Sequence, residues 1–251
     1  MIAIMPLTGI GEVEAGTDLA QLLIAAIRAT DAKVEDGAVL VVTQKIVSKA
    51  EGRFVDLGDV APGDAAQELA DITGKDARLV ELVLRESEVV LRAVPDVLIT
   101  RHRLGLVMAN AGIDRSNLGP GSQDRVLLLP ADPDASARSL ADRLSATFGC
   151  RVAVVLSDSF GRPWRNGVTN VAIGASGLVS LVDRRGQHDR DGRPLEVTQV
   201  ALADMIACAA GLATGEGSEG IPAVLINGLN LDQGDRPASA LIRPLDEDLF
   251  Q

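Results

Sequence analysis

Short, β-branched apolar runs, each followed at once by polar residues, are the feature that most constrains the fold of this chain. The clearest runs are residues 38–42, 152–156 and 223–227. Each is short and is bounded by turn-forming residues, so each predicts a buried β-strand. Apolar residues at helical spacing, as at 19–27 after a capping residue at Thr17, form a stripe that predicts packing against a sheet. The chain is therefore expected to fold as strands covered by helices.

The remaining segments extend this outline. Helical spacing of apolar residues predicts further helices at 65–72, 77–92, 135–148 and 195–212. Residues 43–49 and 157–165 each follow one of the predicted strands and are expected to be polar loops. At 251 residues, the chain can bury a core as one large domain or as two small domains that share an interface.

The composition limits the classes of partner. The net charge of −11 argues against binding to nucleic acid or to an anionic membrane surface. Two distant cysteines, Cys150 and Cys208, have apolar neighbours and predict reduced core thiols. Aromatic residues make up only 2% of the chain, so Trp164, in its most polar region, is expected either to cover a ligand or to plug a gap. No secretory pattern and no apolar run of spanning length is found, which predicts a cytoplasmic protein.

Five polar segments share a composition that suits phosphate and metal. They are residues 8–12, 43–49, 110–117, 157–165 and 214–221. They combine glycines with acids, hydroxyls, amides and Lys or Arg. Nucleotide sites need this mixture, because backbone N–H groups and cations hold the phosphates while carboxylates hold the bridging metal. None of the five is a Walker A sequence or a GxGxxG motif that opens a helix, so neither a P-loop nor a Rossmann unit is expected.

Three acids are best placed to bind metal, namely Asp114, Asp158 and Glu216, since each has short Gly or Ser neighbours. Carboxylates of this kind suit one or two Mg²⁺ ions, although each acid is also explained as a turn cap or a solvated charge. Arg162 and Arg165 follow Asp158 and suit phosphate or carboxylate oxygens. No triad of nucleophile, base and acid is found, and both histidines are expected to be structural or solvated. Stabilisation of phosphoryl charge by metal and cations is therefore favoured over covalent catalysis.

Four longer motifs narrow the interpretation. In chain order they are VVTQKIVSKAEGR at 41–53, NAGIDRSN at 110–117, SDSFGRPWR at 157–165 and EGIP at 219–222. Together they resemble the coenzyme F420-0 gamma-glutamyl ligase family. The motifs run through nearly the whole chain, and several long motifs in register are far more specific than any single glycine signature.

The resemblance implies an activity and an architecture. The expected enzyme uses GTP as co-substrate and Mg²⁺ or Mn²⁺, as two divalent ions, with K⁺ as a further cation. It joins L-glutamate to the lactyl carboxylate of F420-0 through an acyl phosphate and then adds glutamates through gamma-linkages. The resemblance also implies an α+β fold of mixed sheets with packed helices and an intertwined homodimer. Residues 1–251 are expected to form one ligase module without the C-terminal reductase-like domain of some relatives.

Site residues follow from the resemblance position by position. Asp114 and Asp158 are implied as ligands of one metal, and Ser159 and Glu216 as ligands of the second. The implied GTP contacts are Gly9, Ile10, Gly11, Glu12, Gln44, Lys49, Asn117, Gly215, Glu216, Gly217, Ser218, Glu219, Gly220 and Ile221. The expected catalytic residues are Lys49, Asp158, Arg162 and Arg165, the two arginines being assigned from their chemistry alone.

Three other functions fit the same residues. A metal-dependent nucleotide or phosphoester hydrolase would use the same acids on the same phosphates. A non-catalytic module could bind F420 or a nucleotide, although Lys49, Asp114 and Asp158 together favour catalysis over binding alone. A pterin-tail ligase would differ only in its substrate.

Overall fold

A five-stranded mixed sheet forms the centre of the molecule. The computed structural model of the chain describes residues 1–119 and 124–248. Within the sheet the strands Ala38–Thr43 and Val152–Arg162 run parallel to each other, and the other neighbouring strands are antiparallel. In spatial order the strands are β1 (Ala3–Pro6), β12 (Ala223–Asn227), β2 (Ala38–Thr43), β8 (Val152–Arg162) and β9 (Arg165–Ser176). The three strands predicted from apolar runs are thus confirmed, and all three lie side by side.

Helices cover both faces of this sheet, so its central strands are buried on both sides. Leu40 and Val154 face a cluster built with α1 (Leu19–Arg28), α2 (Gln44–Ala50) and α5 (Pro133–Phe148). Val39 and Val155 point the other way, toward α6 (Leu202–Thr214). Successive side chains of a strand alternate between faces, which is why continuous apolar runs belong at this position. The α+β prediction is confirmed.

A second group of elements lies between α2 and α5 in the chain. It contains β3 (Phe54–Asp56), α3 (Asp64–Thr73), α4 (Ala77–Arg85), β4 (Ser87–Val94), β5 (Val97–His102), β6 (Val107–Ala109) and β7 (Arg125–Leu127). Strands β4, β5 and β6 form an antiparallel sheet, and β3 pairs with β7. Two small apolar clusters, centred on Val83 and on Leu57, pack these elements together. A further short pair joins β10 (Leu181–Asp183) to β11 (Gln199–Ala201).

Several local predictions were wrong. Residues 44–50 form a helix, α2, because Ile46 and Val47 bury against the core while the polar residues share the other side. The helix predicted at 77–92 ends at Arg85, and the β-branched residues beyond it form β4. Residues 195–201 precede α6 rather than forming its first turns. Helix α1 is capped by Asp18, whose carboxylate accepts from Gln21 N at 3.1 Å, and not by Thr17.

Two further observations concern cysteines and membrane segments. Both cysteines are free, but Cys208 is exposed on α6, so the prediction of a core thiol was wrong for it. No helix within the described ranges is both long and apolar enough to cross a membrane.

A buried histidine lies against the carboxylate of Glu86. His102 is fully buried; its Nδ1 accepts from Leu104 N at 3.0 Å, and its Nε2 lies 3.5 Å from Glu86 Oε2. The structural role expected for this histidine is therefore confirmed. The neighbouring His102, Arg103 and Arg53 lower the pKa of Glu86 from 4.5 to about 2. A carboxyl group with a lowered folded-state pKa stabilises the fold above its unfolded pKa, and that stabilisation disappears as the group is protonated.

Glu86→Gln is expected to lower the free energy of unfolding at pH 7 by about 1 to 2 kcal/mol, after allowance for solvent screening. Because Glu86 has an unfolded pKa of 4.5 and a folded pKa of about 2, the difference from wild type should shrink as the pH falls between these values. Urea unfolding at several pH values measures it. A difference that stays constant down to pH 3 would show that the charge of Glu86 contributes nothing.

Candidate active site

The carboxyl ends of the two parallel strands create the edge at which the candidate site lies. Thr43, the last residue of β2, pairs in register with Ser157 of β8. The residues that follow are therefore neighbours in space, with α2 beginning at Gln44 and the second half of β8 beginning at Asp158. Sites in α/β sheets are commonly built at such strand ends, where chain segments leave the sheet.

Two further polar segments leave the sheet at the same edge. Pro222 O, just before β12, accepts from Thr43 N at 2.9 Å, and Ala223 O accepts from Leu7 N at 2.9 Å. Residues 8–12 therefore begin, and residues 214–221 end, close to the last residue of β2. Four of the five polar segments picked out by composition consequently meet at one edge of the sheet.

Side chains of α2 bind the fifth segment, residues 110–117, to this edge. Asp114 Oδ2 accepts from Gln44 Nε2 at 3.1 Å and from Lys45 Nζ at 2.6 Å. Lys45 Nζ also lies 3.2 Å from Ser116 Oγ. Gln44, which is buried, is held in turn by Ser48 Oγ, 2.9 Å from its Oε1. The predicted site residues Gln44 and Asp114 are therefore in direct contact.

Lys45 was not predicted as a site residue. The signal was available, because Lys45 and Lys49 are four residues apart and would share one face of a helix. Treating residues 43–49 as a loop concealed that relation. In the structure one helix presents both ammonium groups to the polar edge.

Lys49 is a buried cation whose partner comes from the N-terminal loop. Its side chain is only 6% exposed and forms an ion pair with Glu12, whose own side chain is 60% exposed. A buried ammonium needs a charged or hydrogen-bonding partner, because desolvation disfavours its charged form. The pair joins the N-terminal loop to α2 through Glu12.

The carboxyl group of Asp158 is influenced by two other acidic side chains, Asp114 and Glu216. Burial, followed by the Asp114 carboxylate, raises the pKa of Asp158 to about 7; Glu216 adds to the rise, and Lys45 opposes it. Like charges disfavour ionisation, so the Asp114 and Glu216 carboxylates add to the effect of burial. All three belong to the predicted metal set, and they come from separate segments of the chain.

Glu216 is held by a residue that was not predicted. Asn170 Nδ2 donates to Glu216 Oε1 at 3.2 Å, and Asn170 pairs in register with Ser159. Glu219, in the same glycine-rich segment, accepts from Gly217 N at 2.8 Å and lies so close to Gly215 that a Cβ added there would overlap its carboxylate. With φ at +67°, Gly215 must remain glycine for this turn to form.

The segment predicted as a loop at 157–165 is a β-hairpin. Residues of β8 from Asp158 to Arg162 pair with β9, which gives their backbone groups partners and makes the strand continuous. Arg162 and Arg165 lie at the hairpin turn, where Arg162 Nη2 donates to Asn166 O at 2.8 Å. The turn is roughly 13 Å from Asp158 along the strand, so the backbone of the two predicted catalytic arginines lies beyond the carboxylate cluster, and their catalytic role stays a prediction. Trp164, 77% exposed, lies at the same turn and plugs no core gap.

A cavity of about 420 Å³ opens beside the edge strand β9, where α5 begins. Ala172, which lines it, pairs in register with Ser157, so the cavity is one strand away from the carboxylate cluster. The lining is mostly apolar with a few charged groups and includes Leu104, Leu106, Asp134, Arg138, Ile173 and Ile242. Asp134 is engaged structurally, since its carboxylate accepts from the backbone of Ala175, Ala238 and Ser239. The other charged residues of the lining are Asp132 and Arg138.

The donor types at this edge suit a hard divalent cation. Carboxylate and hydroxyl oxygens are the ligands that Mg²⁺ and Mn²⁺ prefer, and the raised pKa of Asp158 marks a place where positive charge would be stabilised. Among the described residues no three His, Cys, Asp or Glu side chains are yet placed to hold a metal ion. Lys45 and Gln44 engage Asp114, and Asn170 engages Glu216, so the three acids are neighbours without forming a closed ligand set.

Comparison with known proteins gives the class of this chain. The family model described as F420-0:Gamma-glutamyl ligase matches residues 9–228. The chain is 47% identical over 244 residues to the "Coenzyme F420:L-glutamate ligase" of Methanopyrus kandleri, covering 96% of this chain and 94% of the relative. It is 41% identical to the protein of the same name from Methanothermobacter thermautotrophicus, covering 100% of this chain and 99% of the relative.

Fold, site and comparisons together define a ligase with an α+β core and a polar edge built by several segments. The chain belongs to the F420-0:gamma-glutamyl ligase family. All five polar segments fall within or at the boundary of the matched residues.

Proposed function

We propose that this chain joins L-glutamate to the lactyl carboxylate of F420-0, with GTP as the phosphoryl donor, and then extends the product through gamma-linked glutamates. The observation that carries the proposal is the convergence of Lys49, Asp114 and Asp158 at one sheet edge in a member of this family. Small-molecule chemistry at phosphate groups needs such a cluster of cations and hard oxygen donors.

Two divalent cations, Mg²⁺ or Mn²⁺, belong to the proposal. Asp114 and Asp158 would hold one, and Ser159 and Glu216 the other. When bound, such cations would neutralise phosphate oxygens and orient the transferring group. The approach of three carboxylates, seen in the raised pKa of Asp158, supports a role in binding positive charge.

The nucleotide is proposed to lie over the meeting point of the N-terminal loop, α2 and the glycine-rich segment. Residues 9–12, Gln44, Lys49, Asn117 and residues 215–221 would contact it. Backbone N–H groups of the glycine-containing loops can approach phosphate oxygens closely. Lys49, which is buried, would offset negative charge on the transferring phosphoryl group, and Lys45 on the same helix would supply a second cation.

The reaction is proposed to proceed in two steps, a phosphoryl transfer followed by the formation of the amide. A lactyl carboxylate oxygen attacks the gamma-phosphorus of GTP, the bond to the beta-phosphate oxygen breaks, and GDP leaves with the electron pair. The glutamate amine then attacks the acyl phosphate carbonyl, inorganic phosphate leaves, and the amine loses its proton as the amide forms. Activation is needed because a carboxylate is a poor electrophile.

The substrate's ring system has a candidate place in the cavity beside β9. Its apolar walls suit a flat aromatic ring, and Arg138 in its lining suits a phosphodiester. Arg162 and Arg165 lie at the turn of the hairpin, several residues along β8 from Asp158. We propose that they act in the homodimer, where the projecting hairpin, with Val168 and Trp164 exposed, would pack against the partner.

Mass spectrometry of F420-0 after incubation with the protein tests the proposal directly. The mixture contains L-glutamate, GTP and Mn²⁺ or Mg²⁺, with each component omitted in turn. Products heavier by successive glutamyl units, dependent on GTP and metal, are expected. Hydrolysis of GTP without glutamate or deazaflavin would instead identify a hydrolase, and bound F420 or GTP without any turnover would identify a binding module.

A further inference from the structure

Asn170 connects the two proposed ligands of the second cation, and the inference rests on the proposed function. It lies in β9 directly opposite Ser159, and its Nδ2 donates to Glu216 Oε1 at 3.2 Å. The Asn170 side chain therefore links β9, at the position paired with Ser159 of β8, to the separate glycine-rich segment that carries Glu216. We propose that Asn170 is a positioning residue that holds the Glu216 carboxylate beside Ser159 for cation binding.

The Asn170 side chain is itself held by α6. A Cβ added to Gly211 would overlap Asn170 Oδ1, so the helix packs directly on the amide. Cys208, one turn earlier on α6, lies with its Sγ 3.0 Å from Asn170 O. The side-chain oxygen Oδ1 of Asn170 therefore faces α6, and its side-chain nitrogen Nδ2 faces Glu216.

Glu216 needs such a partner. It is exposed and lies between Gly215 and Gly217, where neither neighbour has a side chain to restrict it. A long carboxylate side chain in that setting loses substantial rotamer freedom when it binds a ligand. An amide donor orients the carboxylate without adding a positive charge, so the full negative charge stays available for a cation. Asp114, by contrast, is paired with the ammonium of Lys45.

The test compares metal affinity with turnover. In Asn170→Ala, the Mn²⁺ concentration that half-saturates the proposed site at Ser159 and Glu216 should rise about tenfold, as is typical when a residue that orients a metal ligand is removed. Electron paramagnetic resonance of free Mn²⁺, with protein alone, measures this without turnover. The kcat at saturating Mn²⁺ should stay within about twofold of wild type. Asn166→Ala, which changes the same residue type on the same strand, serves as the matched control for the Mn²⁺ binding measurement.

Gly211→Ala perturbs the same contact from the other side. Its added methyl group should push the Asn170 amide away from Glu216 and weaken Mn²⁺ binding to a similar extent. In the double variant, Asn170→Ala takes away the amide that would clash with this methyl group, so the two effects should not add. Thermal unfolding shows whether Asn170→Ala folds. If it folds poorly, Gly211→Ala still tests the contact between Asn170 and Glu216.

Each outcome bears on a different claim. If wild type binds Mn²⁺ and both single variants bind it equally well, the positioning role is overturned while the proposed function stands. If both single variants weaken binding additively in the double variant, Gly211 acts separately from Asn170, and the proposed linkage is overturned. If wild type binds no Mn²⁺ and forms no glutamylated product, the proposed function fails, and this inference fails with it.

Discussion

Asp158→Asn is expected to lower kcat for glutamyl ligation by about 10³-fold or more while leaving the fold intact. The substitution keeps the size and shape of the side chain and removes its negative charge. Asp158 is the residue on which the charges of Asp114, Glu216 and Lys45 converge, so its loss should weaken both the binding of the cation and the neutralisation of phosphate. Product formation followed by mass spectrometry measures the effect.

The same variant should be at least as stable as wild type in metal-free buffer. The pKa of Asp158 is raised to about 7 in the folded chain, so ionising it above that pH costs folding free energy that asparagine does not incur. Thermal unfolding at pH 8 in the presence of a chelator should therefore show an equal or higher Tm. A gain in stability with a loss of activity is typical of residues kept for function. Asp142→Asn, on the exposed side of α5, is the matched control, and wild-type turnover by Asp158→Asn would disprove the metal-binding role.

Lys49→Met is expected to have the next largest effect, lowering kcat/KM for GTP by about 10²-fold to 10³-fold. Methionine fills a similar volume but removes an ammonium that is both buried at the site and paired with the N-terminal loop. Glu12, left without this partner, is largely exposed and can be solvated by water, so the stability loss should be small. Initial rates at several GTP concentrations separate kcat from KM.

Lys33→Met provides the comparison for Lys49→Met. Lys33 is exposed, and its carbonyl accepts from Asn227 Nδ2 at 2.8 Å, near the end of β12 that lies opposite to the candidate site. Its substitution removes an identical charge without touching the polar edge. Equal GTP kinetics for Lys49→Met and wild type would show that Lys49 is a structural cation only.

The central strands could be predicted because a strand that is buried on both faces has a continuous apolar sequence. Residues 38–42, 152–156 and 223–226 are apolar throughout, which is typical of the middle of a covered sheet. The extension of β8 to Arg162 has no such apolar sequence. Its residues are mostly polar, and its pairing with β9 depends on backbone hydrogen bonds. Residues 87–92 were mistaken for helix because the preceding helix and the strand share the same apolar content.

The candidate site could be predicted only in part, because some of its residues are recognisable by residue type and others act only through tertiary contacts. Acids and lysines that act directly are recognisable by residue type, and motif resemblance placed Asp114, Asp158 and Lys49 in one site before any contact was known. Asn170 and Gly211 act through tertiary contacts between β9 and α6, and neither residue type suggests this in sequence. The GTP contacts and the metal ligands remain predictions, to be tested by the variants above.

The parallel pairing of β2 with β8 has a consequence for folding. Thr43 and Ser157 are adjacent in the sheet, yet the whole group from β3 to α5 lies between them in the chain. Contacts of such long sequence separation form slowly, because the entropy of closing the intervening loop is lost before the contact stabilises it. The edge that carries the site therefore exists only once this late step is complete. A chain that has collapsed around its local helices and hairpins would be rich in secondary structure and still lack an active centre.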